Sequence, residues 1–303
     1  MSVKTHFSIK DLENLSGVKA HTIRIWEKRY GLFSPQRTDT NIRQYNLSSF
    51  KKLLDVTFIY NQGIKISKIA TFSPEKIKNV ILENAVDHKE HFAINGFKNA
   101  MFDFSTTQFN KIFSQLLKTK TFEQVFENVF IPFLHEIGVL WHIGTIDVSH
   151  ERFVSELIKR KTIEHISLYA SRVSKYKNKT RVCLFLPIDE IHDIGLIYAN
   201  YLLEKSGIKT TYLGPNIPLE SLTKQCYTDE DLIFLTFFTT KPDKESVKSY
   251  LDSYQKIVCK KEKYPLWILG QKYTEVQKHN TDSSIVCFDS VKSFVEKVNT
   301  LSN

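Results

Sequence analysis

Two residues suited to metal chemistry, Glu190 and His192, stand close together in the C-terminal half of the chain, and Gly195 follows them. An imidazole is a common metal ligand, and a neighbouring carboxylate can hold its second ring nitrogen and fix its tautomer. The three residues follow the apolar run 181–186, which predicts a β-strand. Ligands bind beyond the carboxyl ends of parallel strands. The pattern therefore predicts a ligand site, although a lone histidine in such a loop is more often a capping or surface residue.

A second group of residues has the composition of a nucleic-acid contact surface. Between Gly17 and Arg43, six cations stand against two acidic residues, and Trp26, Tyr30 and Phe33 lie among them. The cations are Lys19, Arg24, Lys28, Arg29, Arg37 and Arg43. The chain as a whole carries a formal charge of +9, which favours polyanionic partners. The group predicts nucleic-acid binding, with a solvated basic helix face as the alternative.

The elements around this basic group predict a winged helix-turn-helix. Ser8 to Asp11 has the form of a capping box, and Gly17 ends the helix that the box begins. A second helix begins at 19–21, and the segment 36–45 contains the turn residues of a small β-wing. Two short helices joined by a glycine-containing turn are typical of the helix-turn-helix.

The middle segment, 74–171, contains few glycines and predicts a helical bundle. Thr121 to Gln124 can form a capping box, and apolar residues then recur every three or four positions. This stripe consists of Phe122, Val125, Phe126, Val129, Phe130, Phe133, Leu134, Ile137 and Trp141. We interpret most of it as core packing in one long helix. Asp147 or Ser149 is the predicted cap of the next helix.

The last third of the chain alternates short apolar runs with helix-length segments, after a basic connector at 172–180. The runs lie at 181–186, 210–213, 232–238, 266–269 and 285–288. Because parallel strands are joined through helical crossovers, this alternation predicts a doubly wound, five-stranded parallel sheet of flavodoxin-like type. The four cysteines occur singly without CxxC spacing, so neither a zinc finger nor a disulfide framework is supported.

Length and composition narrow the class of protein. The 303 residues, 42% of them hydrophobic and 25% charged, are typical of a soluble multidomain protein. No run approaches the roughly eighteen uncharged apolar residues of a membrane span, and the N-terminus lacks the apolar core of a signal peptide. We therefore expect a cytoplasmic protein that does not enter a membrane.

The N-terminal segment resembles the MerR-type winged helix-turn-helix regulators over about residues 5–73. The resemblance rests on 22–32, Thr-Ile-Arg-Ile-Trp-Glu-Lys-Arg-Tyr-Gly-Leu, and on Arg37-Thr38, Asn41, Arg43 and Tyr45. It implies that a recognition helix and a wing contact DNA. The residues that it assigns to DNA are Thr22, Arg24, Lys28, Arg29, Arg37, Arg43 and Tyr45. The chain departs from the family at Lys19-Ala20, which replaces a Ser-Pro cap at a cost of about 1 kcal/mol.

The loop that contains Glu190 and His192 resembles the lower-ligand loop of cobalamin-binding flavodoxin-like domains. The resemblance implies that His192 ligates cobalt from below and that Glu190 holds the other ring nitrogen. Around the nucleotide tail of the cofactor and the turn after the second strand, it assigns Gly195, Gly214, Thr236 and Gly270. Thr236 replaces a serine but keeps the hydroxyl, whereas Gly270-Gln271 replaces a Gly-Gly pair and crowds the tail slot.

Trp141 and His142 stand near a helix end, and Glu151 lies ten residues beyond Trp141. Alone, these residues are typical of amphipathic packing. Upstream of the Glu190 loop, they resemble the cobalamin-capping bundle of the CarH and LitR light-sensing repressors. The resemblance implies that Trp141 lies over the upper face of cobalamin, that Glu151 contacts the adenosyl group, and that His142 ligates cobalt after photolysis. Arg152 departs from the family, which has a second histidine there.

The order of the segments predicts three domains: 1–76, the MerR-type winged helix-turn-helix; 77–171, the helical bundle that caps cobalamin; and 179–303, a Rossmann-like cobalamin-binding domain. We predict a cobalamin-dependent, light-responsive transcriptional repressor, not an enzyme. It binds double-stranded operator DNA as a homodimer or homotetramer and leaves DNA on loss of the adenosyl group. Adenosylcobalamin is the expected cofactor, with methylcobalamin as the alternative.

Two other functions stay open at this point. A corrinoid carrier for a partner methyltransferase would explain the C-terminal half but not the first 73 residues. A cofactor-free MerR-like regulator controlled by a protein partner is favoured by Arg152 and by Gln271, the two departures from the cobalamin pattern.

Overall fold

The computed structural model describes residues 6–84, 89–170, 179–226, 231–260 and 262–302. The chain forms two compact units, Met1–Leu157 and Ile158–Asn303. Of the predicted connector at 172–180, residues 172–178 lie outside the described residues. Within the described ranges, no helix has the length and apolar character needed to cross a membrane.

The first unit begins with the predicted winged helix-turn-helix. Its elements are β1 (His6–Phe7), α1 (Ile9–Ser16), α2 (Ala20–Tyr30), β2 (Gln36–Arg37), β3 (Arg43–Asn46) and α3 (Leu47–Asn61). The strands form an antiparallel sheet in the order β1-β3-β2. The capping box is present, because the Asp11 amide donates to Ser8 Oγ and the Ser8 amide donates to Asp11 Oδ2. Gly17, at φ 73°, ends α1 in the left-handed conformation.

The rest of the first unit is helical. Its elements are α4 (Ile66–Ile69), α5 (Pro74–Asn84), α6 (Lys89–Phe102), α7 (Thr106–Leu116), α8 (Phe122–Val125), α9 (Ile131–His142) and the start of α10 (Val148–Ala170). The predicted capping box at Thr121 and Gln124 is present. Asp147 directly precedes α10, as predicted for its cap.

The predicted single helix from Phe122 to Trp141 contains a π-helical turn at Phe126–Phe130, which the regular spacing of apolar residues did not predict. The amide of Ile131 donates to the carbonyl of Phe126, five residues earlier. Pro132 follows directly and has no amide hydrogen, so the regular pattern of helix hydrogen bonds is interrupted here. The stripe nevertheless packs as expected up to Ile137 and ends at Trp141, which is exposed.

The second unit contains the predicted doubly wound sheet. Its elements are β4 (Thr180–Phe185), α11 (Ile194–Lys205), β5 (Lys209–Gly214), α12 (Leu219–Leu222), β6 (Asp231–Phe238), α13 (Val247–Ile257), β7 (Leu266–Gly270), α14 (Tyr273–His279), β8 (Ile285–Cys287) and α15 (Val291–Ser302). All strand pairs are parallel, in the order β5-β4-β6-β7-β8. The direction of winding reverses between β4 and β6, and a ligand crevice forms at such a point. The four cysteines are free thiols.

Candidate functional site

The recognition helix α2 presents its cations to solvent. Arg24, Lys28 and Arg29 are exposed, whereas Thr22 is half-buried. On the opposite face, Ile23 and Trp26 are buried. The helix begins at Lys19 without a side-chain cap, as its departure from the Ser-Pro pattern predicts, and Gly31 ends it at φ 61°. The face that remains exposed is positively charged and is suited to phosphate contacts.

The wing consists of β2, β3 and the turn between them. Arg37 is exposed, and its guanidinium donates to Asn41 Oδ1 over 2.6 Å across the turn. Asn41 has a φ of 63°, a conformation that asparagine tolerates better than most residues. The Thr38 amide donates to the Ile42 carbonyl and closes the turn. Arg37 is therefore held at the tip of the wing, where the sequence predicted a DNA contact.

Glu27, on α2, ties the wing to the recognition helix. Its carboxylate accepts hydrogen bonds from Arg43 Nε at 3.1 and 3.2 Å and from the Tyr45 hydroxyl at 2.9 Å. Tyr45 is fully buried, so its ring cannot reach DNA as the sequence predicted. Tyr45 instead supports the wing from the protein interior. Arg43 keeps a partly exposed guanidinium but is held by Glu27.

In the second unit, the predicted pair Glu190 and His192 is assembled in the loop between β4 and α11. His192 Nδ1 and Glu190 Oε1 are 2.6 Å apart, and the backbone amide of His192 donates to the same oxygen. Glu190 is fully buried, whereas the imidazole is half-exposed. With Nδ1 bonded to the carboxylate, Nε2 is the nitrogen with which His192 would ligate a metal.

The carboxylate of Glu190 is itself held by the segment that follows β6. The amides of Thr239, Thr240 and Lys241 donate to Glu190 Oε2 at 3.2, 2.6 and 2.8 Å, and the Thr240 hydroxyl adds a further bond of 3.1 Å. Burial alone raises the pKa of the Glu190 carboxyl, but hydrogen bonds from His192 and from backbone amides outweigh it and lower the pKa to about 2. The glutamate is thus ionised and orients the Nδ1–H of His192.

Among the described residues, no group of three or more histidine, cysteine, aspartate and glutamate side chains could hold a bare metal ion. One oriented imidazole suits a metal that arrives with its other ligands, such as the cobalt of a corrinoid. The chemistry of the donor set at Glu190 and His192 therefore fits the lower-ligand position of cobalamin.

The residues assigned to the nucleotide tail fit it in part. Thr236 is fully buried on β6, and its hydroxyl has no hydrogen-bond partner among the described residues, which fits a polar group awaiting a ligand. The space above Gly195 is filled, since a Cβ there would lie 2.6 Å from Cε1 of Phe237. The slot predicted beside Gly195 thus holds the Phe237 ring, which must turn away before a tail can enter.

The two remaining glycines have backbone roles. Gly270, at φ 115°, lies against the backbone of Phe238, which a Cβ would approach to 2.5 Å. Its role here is the close approach of β7 to β6. Gly214, at φ 82°, ends β5 in the predicted turn. Its carbonyl accepts the Leu186 amide and so ties this turn to the end of β4.

A cavity of about 450 Å³ lies beyond the carboxyl ends of β4, β5 and β6. Its walls come from 187–189, 217–220, 241–243 and α13. Two of its loops are also joined by a hydrogen bond of 2.7 Å from the Asp189 amide to Asn216 Oδ1. The cavity therefore adjoins the segments that hold Glu190, at the edge of the sheet where the sequence predicted a ligand.

In the first unit, Trp141 and His142 lie at the exposed end of α9. Trp141 is 51% exposed, beside Val139 and Ile143 at 48% and 49%. Glu151, in the first turn of α10, accepts a hydrogen bond of 2.6 Å from the Ser155 hydroxyl. Large apolar side chains at such exposure indicate a surface made for contact.

Arg152 forms an ion pair with the residue that the sequence assigned to the adenosyl group. Arg152 Nε lies 3.5 Å from Glu151 Oε2. The arginine that replaces the family's second histidine thus faces Glu151 directly.

The sequence did not predict the roles of four residues in these sites. Glu27, Phe237, Thr240 and Lys272 each act on a residue far away along the chain. By its type and position alone, Glu27 predicts only an acidic residue among the cations of the recognition helix. The threonine-rich segment after β6 was a possible signal, because successive backbone amides at a strand end form anion-binding sites.

Two families and two curated repressors match parts of this chain. Residues 7–76 match the family described as MerR HTH family regulatory protein, and residues 93–163 match the B12 binding domain. The HTH-type transcriptional repressor CarH of Myxococcus xanthus is 25% identical over 224 residues, 71% of this chain and 73% of that protein. The repressor CarA of the same organism is 23% identical over 241 residues, 78% of each chain.

The fold also occurs in a solved structure, that of the Methanosarcina barkeri monomethylamine corrinoid protein. Its TM-score is 0.55 at 10% identity, over 68% of this chain and 96% of that one. CarH and CarA, in contrast, are transcriptional repressors and not enzymes, which confirms the prediction of a regulator. The chain is thus similar over most of its length to the CarH and CarA repressors, and it matches a MerR-type helix-turn-helix and, after it, a B12 binding domain.

Proposed function

We propose that this protein is a cobalamin-dependent, light-responsive transcriptional repressor that acts in the cytoplasm. The observation that carries the proposal is the half-exposed imidazole of His192, oriented by a buried and ionised Glu190. It stands in the same chain as a helix-turn-helix with a basic, exposed face. The homology to CarH and CarA supports this combination.

The lower side of the cofactor is held by the second unit. His192 Nε2 is the cobalt ligand, and Glu190 holds the ring by its Nδ1–H. The hydroxyl of Thr236 meets the nucleotide tail, and Phe237 leaves the space beside Gly195 to admit it. The Thr236 hydroxyl is buried without a hydrogen-bond partner among the described residues, so a nucleotide tail that bonded to it would relieve that cost.

We also propose that three residues of the first unit would contact the exchangeable ligand of a bound cobalamin. Trp141 supplies a large exposed indole, and Glu151 a carboxylate fixed by Ser155. His142, which is also exposed, is the proposed upper ligand once the adenosyl group is gone. Adenosylcobalamin rather than methylcobalamin is the proposed form, because an indole and a hydrogen-bonding carboxylate suit a nucleoside.

When bound, adenosylcobalamin supplies a cobalt–carbon bond that light breaks. The protein's part is to turn the loss of the nucleoside into a change of its own packing. Trp141, which would lie against the nucleoside, is the residue through which the end of α9 would respond to its loss. A switch from mostly DNA-bound to mostly free protein requires the two cofactor states to differ by about 5 kcal/mol in their preference for two arrangements of the chain.

The DNA interface is built from α2 and the wing. Arg24, Lys28 and Arg29 contact the major groove and its phosphates, with Thr22 at its edge, and Arg37 contacts the backbone from the wing. One short recognition helix makes few base contacts. We therefore propose that a homodimer or homotetramer binds two half-sites of a double-stranded operator.

The proposed cofactor site is tested by cobalamin retention after gel filtration. His192→Ala should lose the cofactor or bind it much more weakly, and Glu190→Ala should weaken binding about 10- to 100-fold, because it only orients the ring. His279→Ala, which changes a histidine of the same unit outside the loop, is the matched control. Full retention by His192→Ala with an unchanged absorption spectrum would refute the assignment.

A cofactor-free regulator controlled by a protein partner is the second candidate, and the closed slot at Phe237 favours it. The same experiment separates the two functions. Wild-type protein that shifts DNA but takes up neither adenosylcobalamin nor methylcobalamin would support the second candidate. Uptake of cobalamin without any DNA shift would favour a corrinoid carrier instead.

A further inference from the structure

We propose that Lys272 is a positioning residue for the pair of Glu190 and His192. The ammonium group acts through the backbone of 239–242, which in turn holds the Glu190 carboxylate. The proposal rests on the proposed function only in that His192 is taken as the cobalt ligand.

Lys272 is a buried lysine just before α14, with 7% of its surface exposed. Its Nζ donates to the carbonyl of Thr240 over 2.7 Å and also to the carbonyl of Pro242. A buried ammonium is costly unless its hydrogen bonds are satisfied. Both of these bonds go to one short segment, so the side chain fixes that segment.

The segment fixed by Lys272 is the one that binds Glu190. The amides of Thr239, Thr240 and Lys241 converge on Glu190 Oε2, and the carbonyls of Thr240 and Pro242 point to Lys272. A peptide segment with its amides on an anion and its carbonyls on a cation is held from both sides by charge-assisted hydrogen bonds. Loss of the cation frees the carbonyls and loosens the amides.

A second contact holds the same corner of the sheet. The amide of Gln271 donates to the carbonyl of Phe238 over 2.9 Å, next to the close approach of Gly270 and Phe238. Residues 270–272 therefore hold both the end of β6 and the segment that follows it. The replacement of a second glycine by Gln271 is compatible with this role, because Gln271 contributes through its backbone.

The orientation of His192 follows from this arrangement. Glu190 Oε1 holds Nδ1 at 2.6 Å, so a displaced carboxylate changes the direction in which Nε2 points. Metal sites are sensitive to such outer contacts, and their loss typically costs about 10- to 100-fold in affinity. We expect removal of the Lys272 ammonium to have an effect in this range.

The test uses the full chain with Lys272→Met, and Lys98→Met as the matched control. Lys98 is equally buried, at 6% exposure, but is paired with Glu136 in the first unit. Two quantities are measured: amide hydrogen exchange at Thr239, Thr240 and Lys241 in the cofactor-free protein, and the titration of aquacobinamide, a corrinoid without a nucleotide tail. Imidazole ligation is read from the absorption spectrum.

Lys272→Met should speed exchange of the three amides at least tenfold and weaken cobinamide ligation about 10- to 100-fold. Lys98→Met should change neither quantity. Lys272→Arg, which keeps a cationic donor, should recover part of both losses, and it carries the test if Lys272→Met fails to fold.

Unchanged exchange together with unchanged ligation in a folded Lys272 variant would overturn the proposal. Wild-type protein that binds no cobinamide would contradict the cobalt-ligand role of His192 alone. In that case the exchange measurement still decides whether Lys272 holds the 239–241 segment.

Discussion

Two carboxylates, Glu27 and Glu190, fix the side chains on which the two sites depend. Glu27 holds Arg43 and Tyr45 under the wing, and Glu190 holds His192 at the edge of the sheet. Each carboxylate is well removed from solvent, so its hydrogen bonds are stronger than the same bonds in water. The wing and the proposed cobalt ligand His192 are thereby oriented by the protein itself.

Phe237 is the residue whose change should affect the cofactor most specifically. Phe237→Ala empties the space beside Gly195, so we expect it to raise affinity for cobalamin relative to cobinamide, which lacks the tail. Loss of a partly buried ring should also lower the free energy of unfolding by roughly 1–3 kcal/mol. The ratio of the two dissociation constants, measured by spectral titration, isolates the tail from the general loss of stability.

Phe288→Ala is the control, since this ring packs on Trp267 at a centroid distance of 5.5 Å, outside the slot. It should lower stability and leave the ratio as in the wild type. An unchanged ratio in Phe237→Ala would mean that the tail does not enter beside Gly195.

At the residue scale, the sequence predicted which residue types meet but not every role. The Glu190–His192 pair was predictable because its members are two positions apart in a loop whose place is set by the strand before it. Tyr45 was misassigned because burial depends on packing against residues distant in sequence. The backbone amides that bind Glu190 from the segment after β6 lie 49 to 51 residues away, so a local sequence pattern cannot predict them.

The recognition helix and the wing act as one element because Glu27 joins them. Glu27→Gln removes the charge that binds Arg43 and leaves the guanidinium less constrained. We expect non-specific DNA affinity to rise slightly with the added positive charge, while operator affinity falls about tenfold as the wing loses its fixed angle. The measurement is a gel shift with operator and scrambled duplexes at one salt concentration.

Glu13→Gln provides the matched control, because it makes the same change of charge on α1, where Glu13 pairs with Lys10 and Lys19. Its ratio of operator to scrambled affinity should stay close to that of the wild type. A Glu27→Gln ratio no lower than the Glu13→Gln ratio would show that Glu27 does not position the wing.

At the element scale, the sequence predicted the strands of the second unit closely. The run 232–238 became β6 (Asp231–Phe238), and 266–269 became β7 (Leu266–Gly270). Buried parallel strands are continuous apolar runs, so their ends are marked by the first polar residues. The π-helical turn was not predictable in this way, because a stripe of apolar residues keeps nearly the same face through one wide turn.

At the scale of the molecule, the helix-turn-helix and the bundle share one aromatic core. The ring of Phe102 lies 5.6 Å from that of Phe7 and 4.7 Å from that of Phe50, both in the N-terminal segment. On its other side, Phe102 packs on His150 at 5.0 Å. Burial lowers the pKa of His150, which favours a neutral ring in this core.

Under the proposed function, this packing connects the first turn of α10, which contains Glu151, to the helix-turn-helix. His150 directly precedes Glu151 and packs on Phe102. A shift of the first turn of α10 would therefore move Phe102 and then the segment that carries the recognition helix. The predicted boundary at residue 76 coincides with the end of the match to the MerR family, whereas the packing joins 1–157 in one compact unit. The sequence could not predict this junction, since it depends on rings far apart in the chain.

The central claim is that light acts on DNA binding through bound adenosylcobalamin. The direct measurement is a gel shift of protein loaded with adenosylcobalamin, kept dark or illuminated, on a duplex selected from a random pool by the dark complex. Size-exclusion chromatography of the same samples reports the oligomer. We expect the sample kept dark to be an oligomer that shifts the duplex. The illuminated sample should have a lower mass and should leave most of the DNA free. Equal mass and equal DNA binding in the dark and after illumination would contradict the central claim.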